Sequence, residues 1–279
     1  MLTRVAVGRA SVVREVRAAA PLMSDLAAPV TARGPWLTAV LNVQSASLVP
    51  RGRPRAVVVE QRSGMRPDGV ALLSFSRRGP VTAVGVLGDA IGPVPGGRPT
   101  SRFYARDDDV ARRLADGVLQ QLHRLRGPWT LRLGGLPLGD PTLRHLAAAL
   151  PAASMATVRS RRLVDELDPA DVVRTTDPAE VERWLPAVLS RLTAADRPFV
   201  RACARLHAAI GALELAVVPA AGGPAAGPPA AALLTLLDPG SDARWPWWGV
   251  SDVGGLRREL GSPVATMSAS AGLRLLGRR

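Results

Sequence analysis

Short apolar runs, each closed off by glycine, proline or charge, recur along the whole chain and restrict it to a fold of β-sheet with helices packed on it. They fall at residues 56–59, 70–75, 81–87 and 129–133 in the first half, and at 213–218, 231–237 and 245–250 in the second. Runs of this length and composition are strands with at least one buried face. A further strand is expected within 155–167. Helix starts are punctuated as clearly. Asp140-Pro141, Asp168-Pro169, Asp177-Pro178 and Ser262-Pro263 each set a capping side chain before a proline suited to the first turn. Glu180 adds an acidic capping-box pattern to Asp177. Val181, Trp184, Leu185, Val188, Leu189 and Leu192 follow at helical spacing, and Pro186 among them predicts a kink or break. A second long helix is expected over 108–126, with Val110, Leu114, Val118, Leu122 and Leu125 on one face. Residues 220–229, AAGGPAAGPP, read as a flexible hairpin loop.

These elements predict an α/β (mixed α+β) fold with mixed, mainly antiparallel sheets. Both halves run in one order: helical sequence, successive strands, a loop, a helix. The first half has a loop at 88–106 and a helix at 108–126. The second has a loop at 251–262 and a helix opened by Pro263 that stops near Gly272. The outline predicts a tandem of related domains, 1–170 and 171–279, with a boundary near 168–176.

The chain has 279 residues, and its 47% hydrophobic content argues against disorder as the overall state. No apolar run is long enough to span a bilayer, and the start of the chain, with Arg4, Arg9, Arg14 and Arg17, lacks a signal-peptide core. The single cysteine, Cys203, excludes an internal disulfide and a multi-cysteine metal cage. A cytosolic protein is expected. His123 and His145 lack partners at metal-ligand spacing, so no metal site is expected. All 36 basic residues are arginine and the net charge is +13. Residues 1–106 carry 15 arginines against 5 acids, or +10. That excess permits an RNA, acidic-lipid or phosphorylated-cofactor partner. Absence of lysine together with abundant Ala, Gly, Pro and Val fits coding bias as well, and aromatics for base stacking are scarce there.

The segment Trp245-Pro246-Trp247-Trp248-Gly249-Val250 leads into the 251–262 loop and the helix expected after it. A strand, a glycine- and arginine-containing loop and a helix start, in that order, form a plausible anion seat, because unpaired N–H groups and the helix dipole favour negative charge. Pro246 argues for an edge strand or a bulge. Alternation would place Trp245 and Trp247 on one face and Trp248 on the other.

The order of elements resembles the GNAT acyltransferase superfamily, specifically its two-domain FemAB/CelD-like branch. The residues that carry the likeness are Gly34-Pro35-Trp36-Leu37-Thr38-Ala39-Val40, then Leu87-Gly88-Asp89, the 110–125 helix, Trp129-Thr130-Leu131-Arg132-Leu133-Gly134-Gly135-Leu136-Pro137 and the 140–150 helix. The second half repeats the scheme up to Gly261-Ser262-Pro263. The resemblance implies tandem GNAT-like domains, with the second sheet truncated or completed by the first domain. It implies an N-acyltransferase, acetyl-CoA or another acyl-CoA as donor, and an amine acceptor. In the superfamily an Arg/Gln-x-x-Gly-x-Gly/Ala loop wraps the coenzyme A diphosphate. Here Arg258-Glu259-Leu260-Gly261-Ser262-Pro263 keeps the arginine and first glycine and replaces the second small residue by proline. Arg257, Arg258, Gly261 and Ser262 are thus the expected cofactor-binding residues.

Acyl transfer needs a base for the amine and benefits from an acid for the departing thiolate. Asp252, beside the expected seat, is the candidate base or amine-orienting group, or else it caps the turn into Val253-Gly254-Gly255. Tyr104, the chain's only tyrosine, is the candidate acid, or else a partly buried loop aromatic. Cys203 and His207, four apart, permit a thiol–imidazole pair, yet Phe199, Cys203, Leu206 and Ile210 also follow a core stripe. Two other readings stay open: a catalytically degenerate scaffold on the same fold, and an aminoacyl-tRNA-dependent transferase of Fem type.

Overall fold

A computed structural model describes residues 1–46, 52–62, 66–89, 91–168, 170–220, 227–238 and 240–272. Chain order begins with β1 (Leu2–Val7), α1 (Arg9–Ala18), α2 (Ala20–Asp25) and α3 (Gly34–Ala46). Next come β2 (Arg53–Glu60), β3 (Gly69–Arg78), β4 (Val81–Val86), the short β5 (Tyr104–Ala105) and α4 (Asp108–His123). β6 (Trp129–Leu136), α5 (Pro141–Ala149), β7 (Ser154–Asp165) and β8 (Val173–Thr175) follow. The chain then forms α6 (Pro178–Ser190), α7 (Arg197–Ala208), β9 (Leu213–Val218), β10 (Ala231–Leu237), β11 (Arg244–Ser251) and β12 (Leu256–Ala271). The mixed α/β class is the one expected.

Two of the four expected cap–proline pairs, Asp140-Pro141 and Asp177-Pro178, open helices, and α4 starts where a helix was expected. Asp107 accepts a hydrogen bond from the Val110 N–H, Asp140 from Leu143 and Asp177 from Ala179. These bonds satisfy donors that a helix start leaves free. Asp168 differs: its carboxylate accepts the Ala170 N–H in a turn that leads to β8, and no helix starts there. Helix α6 runs through Pro186 as one element instead of breaking. Pro186 lies on the exposed side, so the Glu182 carbonyl that loses its partner is on the face turned to water.

The main departure lies at the end of the chain. Residues 256–271 form one long strand, not a loop and a helix. β12 lies between β6 and β7 and pairs antiparallel with both. β7 pairs with it over Leu256–Ser268 and β6 over Ala265–Ala271, and these two ladders, which overlap at 265–268, override the helix preference of its Ala and Met residues. Pro263, which has no N–H to give, is accommodated at a bulge where Gly261 and Ser262 interrupt the register between Leu260 and Pro263.

The first sheet therefore runs β1-β2-β3-β4-β6-β12-β7, with β5 on β3, and the second runs β11-β10-β9-β8. Residues 256–271, assigned by sequence to the second half, belong to the first half's sheet. Among the described residues every pairing is antiparallel except one, β4 with β6. The β9 and β10 strands pair as the expected hairpin, and residues 221–226 of its loop lie outside the described residues.

Helices α4 and α5 bury Val110, Leu114, Leu122, Leu143 and Leu146 against one face of the first sheet. The opposite face, through Ala56, Val58, Val70 and Leu72, shares a core with α1, α3, α6, α7 and the second sheet. At its centre Trp36 of α3, Phe199 of α7 and Trp247 of β11 meet edge to face, with ring centroids 5.0, 5.4 and 6.1 Å apart. Trp247 is buried where β11 bulges after Pro246, and its Nε1 donates to the Pro93 carbonyl at 2.8 Å. β11 is an edge strand as well, so both expectations raised by Pro246 are met together. The bulge upsets simple alternation, and Trp245 and Trp248 both pack partly against the core that buries Trp247.

Trp247→Ala should lower unfolding free energy by about 3–5 kcal/mol, as loss of a large core aromatic does; urea denaturation measures it. Deleting residues 256–279 should abolish the cooperative transition of the first sheet, read by near-ultraviolet circular dichroism of Trp129. Retention of that signal would show that β12 is dispensable to it.

Candidate functional site

The anion seat expected at Arg257–Ser262 is not built as a helix start, because β12 continues straight through it. Arg257 and Arg258 face Val164 and Leu163 across the ladder, and as neighbours on a strand they project to opposite faces. Arg257 is engaged by Glu166 and Glu259 at 2.7 and 2.5 Å. A single phosphate cannot be gripped by both arginines from this backbone. Gly261 and Ser262 instead hold a crossing segment. The Ser262 N–H donates to the Gly97 carbonyl at 2.8 Å, and the Gly97 N–H donates to Ser160 Oγ at 2.7 Å. A Cβ at Gly261 would overlap the Gly97 backbone, so this close approach accounts for the glycine.

That segment, residues 91–103, runs from the end of β4 across the molecule. Gly92 packs on Phe199, Pro93 receives the Trp247 indole, and Arg98 lies 4.6 Å from the Trp245 ring. Burial, reinforced by the nearby Arg162, pushes the Arg98 pKa down from the usual guanidinium value. Arg98, Arg159, Arg162, Gly261 and Ser262 line a cavity of about 480 Å³. Arg162 is paired with Glu259 at 2.6 Å, whereas Arg98 and Arg159 have no carboxylate partner among the described residues. The expected pair Gly261 and Ser262 therefore borders a basic cavity, with arginines other than those expected.

The two expected catalytic residues are far apart in role. Asp252 is exposed and forms a two-pronged ion pair with Arg191 at 2.7 and 2.8 Å; that pairing lowers its pKa. The turn that follows is organised by Ser251, whose Oγ accepts the Val253 N–H and donates to the Gly254 carbonyl. Tyr104 is fully buried, and its hydroxyl donates to the Ala32 carbonyl. Burial pushes the Tyr104 pKa well above the ordinary tyrosine value. A phenol so enclosed fastens β5 to the segment before α3; in this conformation it does not reach a ligand. Cys203 and His207 are buried too, with Sγ and Nδ1 3.4 Å apart and Nδ1 2.8 Å from the Cys203 carbonyl. Burial raises the thiol pKa and lowers that of the imidazole, so both stay neutral.

An open cleft lies elsewhere, on the first sheet's face away from α4, just past the end of α3. Its volume is about 790 Å³. Small residues of alternate positions, among them Ser74, Gly85, Thr130 and Ser268, form its floor. The cleft lies beside the parallel junction, where β4 pairs with β6 only from Thr82–Trp129 to Gly85–Arg132. Two residues beyond the last rung's partner on β6, the Gly134–Gly135 stretch turns to the crossing segment. The Gly135 carbonyl accepts the N–H groups of Thr100 and Ser101 at 2.9 and 3.0 Å. Asp89 stands over the last rung, its Oδ2 3.6 Å from where a Cβ of Gly85 would be. Gln44 and Arg132 also line the cleft. None of these three stood out as a candidate in the sequence. Asp89 closes the Leu87-Gly88-Asp89 stretch already noted, which is the one signal that could have marked it.

Helix α4 starts just after the crossing segment and β5. Asp107, Asp108 and Asp109 occupy its start, Asp107 taking the Val110 N–H. Carboxylates complement the helix dipole there and exclude a phosphate.

Tyr104→Phe should cost about 1–2 kcal/mol by leaving the Ala32 carbonyl unpaired. A pKa raised on folding gives stability that is present below the unfolded value of about 10 and is lost as pH rises beyond it. Wild-type melting temperature should therefore fall above that pH more steeply than that of the phenylalanine variant. Parallel declines would contradict the assigned burial.

No family model matches the chain, and no curated protein does. Among solved structures it is similar to a tandem GNAT protein from the clavulanic acid biosynthesis pathway (without AcCoA), at 16% identity and a TM-score of 0.37, over 97% of this chain and 99% of that one.

Proposed function

We propose that the protein is an acyltransferase that passes an acyl group from acyl-CoA to an amine at the parallel β4–β6 junction. The observation that carries this reading is the junction itself: one short parallel pairing in an otherwise antiparallel sheet, ending beside an open polar cleft under a carboxylate. Strands that stop pairing leave main-chain groups able to bind an extended, amide-bearing chain laid between them. The donor's diphosphate fits the cavity of Arg98 and Arg159 beside Gly261 and Ser262, where two guanidinium groups lack carboxylate partners, and it does not fit the acidic start of α4. Bound acyl-CoA would supply the activated carbonyl and a thiolate leaving group. Asp89 takes the proton that the attacking amine must lose. Asp252 is held by Arg191 and Tyr104 is enclosed, so neither enters this chemistry.

A second reading, a catalytically degenerate member of the same fold, is favoured by two observations. Three aspartates stand at the start of α4, and Thr100 and Ser101 cap the Gly135 carbonyl next to the junction.

One titration separates the two. Acetyl-CoA should raise the melting temperature, with about 2.7 kcal/mol of stabilisation at a hundredfold excess over Kd. The double variant Arg98→Ala/Arg159→Ala should lose that response, and thiol release with a panel of amines should fall in Asp89→Asn. Binding without thiol release would establish the degenerate reading. No shift at millimolar acetyl-CoA would reject both the donor and its site.

A further inference from the structure

The cleft beside the junction is lined by one carboxylate, Asp89, and three guanidinium groups, Arg77, Arg78 and Arg132, of which Arg132 stands on the last rung of the junction. Asp89 stands over Gly85, and Arg132 is Gly85's partner on the neighbouring strand, yet no ion pair joins Asp89 to Arg132 or to another cation among the described residues. Both line one shared space, so each charge is available to a group of opposite sign placed there. Between them the floor is Gly85, whose missing side chain leaves the sheet surface open. A third group points the same way. Gln44, at the end of α3, is only 9% exposed and lines the cleft, and its Oε1 has no hydrogen-bond donor among the described residues. A buried amide oxygen without a donor costs stability, and a ligand N–H would satisfy it. Ser74 and Ser268 add hydroxyls to the floor, and the larger apolar side chains in the lining are Val84, Val86, Ile91 and Leu131. The site is built for a small polar molecule with separated charges.

We propose that this cleft is the acceptor site and that it selects a zwitterionic amine of dipeptide size. The ammonium group lies toward Asp89 and Gln44, and the carboxylate toward Arg132. A volume of about 790 Å³ exceeds what a single amino acid fills and lies within the range of small-molecule sites. The assignment rests on the acyl-transfer reading for the word acceptor, while the binding preference stands by itself. It also accounts for Arg132, which the transfer chemistry does not need: it holds the far end of the acceptor so that the amine faces the junction.

The test is calorimetric and needs no donor. The intact protein is titrated with seryl-serine, with N-acetyl-seryl-serine, which lacks the ammonium, and with seryl-serine amide, which lacks the carboxylate. Free seryl-serine should bind, and each blocked form should bind about tenfold to a hundredfold more weakly, as loss of a charge-assisted hydrogen bond predicts. Arg132→Ala should abolish the preference over the amide only, and Asp89→Asn most of the preference over the acetylated form only. Gln44→Leu, which removes a buried unpaired group and so keeps the fold, should weaken free seryl-serine and leave the acetylated form unchanged. Equal binding of the three peptides, tighter binding of the acetylated form, preferences that survive in the variants, or no binding at millimolar peptide would each overturn the proposal. Peptide selectivity without acetyl-CoA binding would sink the transfer reading and leave this one standing. Acetyl-CoA binding and thiol release with other amines only would do the reverse.

Discussion

The architecture depends on the two-sided pairing of β12. Without it β6 and β7 would each present an unpaired edge, and the first sheet would end at β6. With it, a segment encoded after the whole of the second sheet becomes an interior strand of the first. The two halves are thereby joined through main-chain hydrogen bonds as well as through the apolar core between them. This explains why the bulge at Gly261 and Ser262 matters: it lets Pro263 sit in an interior strand and offers its backbone to Gly97.

The crossing segment is the second consequence. Residues 91–103 touch Phe199, Trp247, Trp245, Ser160, Ser262 and Gly135 in turn, drawing both sheets to one path. It forms one wall of the basic cavity and caps β6 just past the parallel junction. The two pockets and the junction are therefore not independent features. A shift of this segment would alter all of them, whereas the cleft floor, made of strand residues in the sheet, would stay in place.

Local signals were legible where local physics decides. The Asp caps of α5 and α6 are satisfied within a few residues of themselves, and the stripe Val110, Leu114, Val118, Leu122 repeats at helical spacing whatever it packs against. Strands flanked by glycine and proline were equally clear. The stretch 263–271 was not, because Ala and Met favour a helix in isolation and only partners a hundred residues away make it a strand. The same nonlocality hid the site. Arg257, Arg258, Gly261 and Ser262 read as a phosphate loop while a helix was expected after them, and the strand turns the two arginines to opposite faces. Gln44, Asp89 and Arg132 come from a helix end, a turn and a strand, and no spacing in the chain brings them together. Tyr104 and Asp252 drew notice as rare or loop-borne polar residues, and their partners Ala32 and Arg191 lie 72 and 61 positions away.

The path of β12 also sets a timetable. β7 ends at Asp165 and its neighbour in the sheet begins at Leu256. During synthesis the ribosome must add the whole second sheet before the first can close. Throughout that interval β6 and β7 expose open edges, and closure needs contacts of high sequence separation, which form slowly. Unpaired edges are templates for pairing with other chains. Arg159, Arg161 and Arg162 along β7 place like charges on that waiting edge, and charged side chains on an edge strand oppose its pairing with other chains.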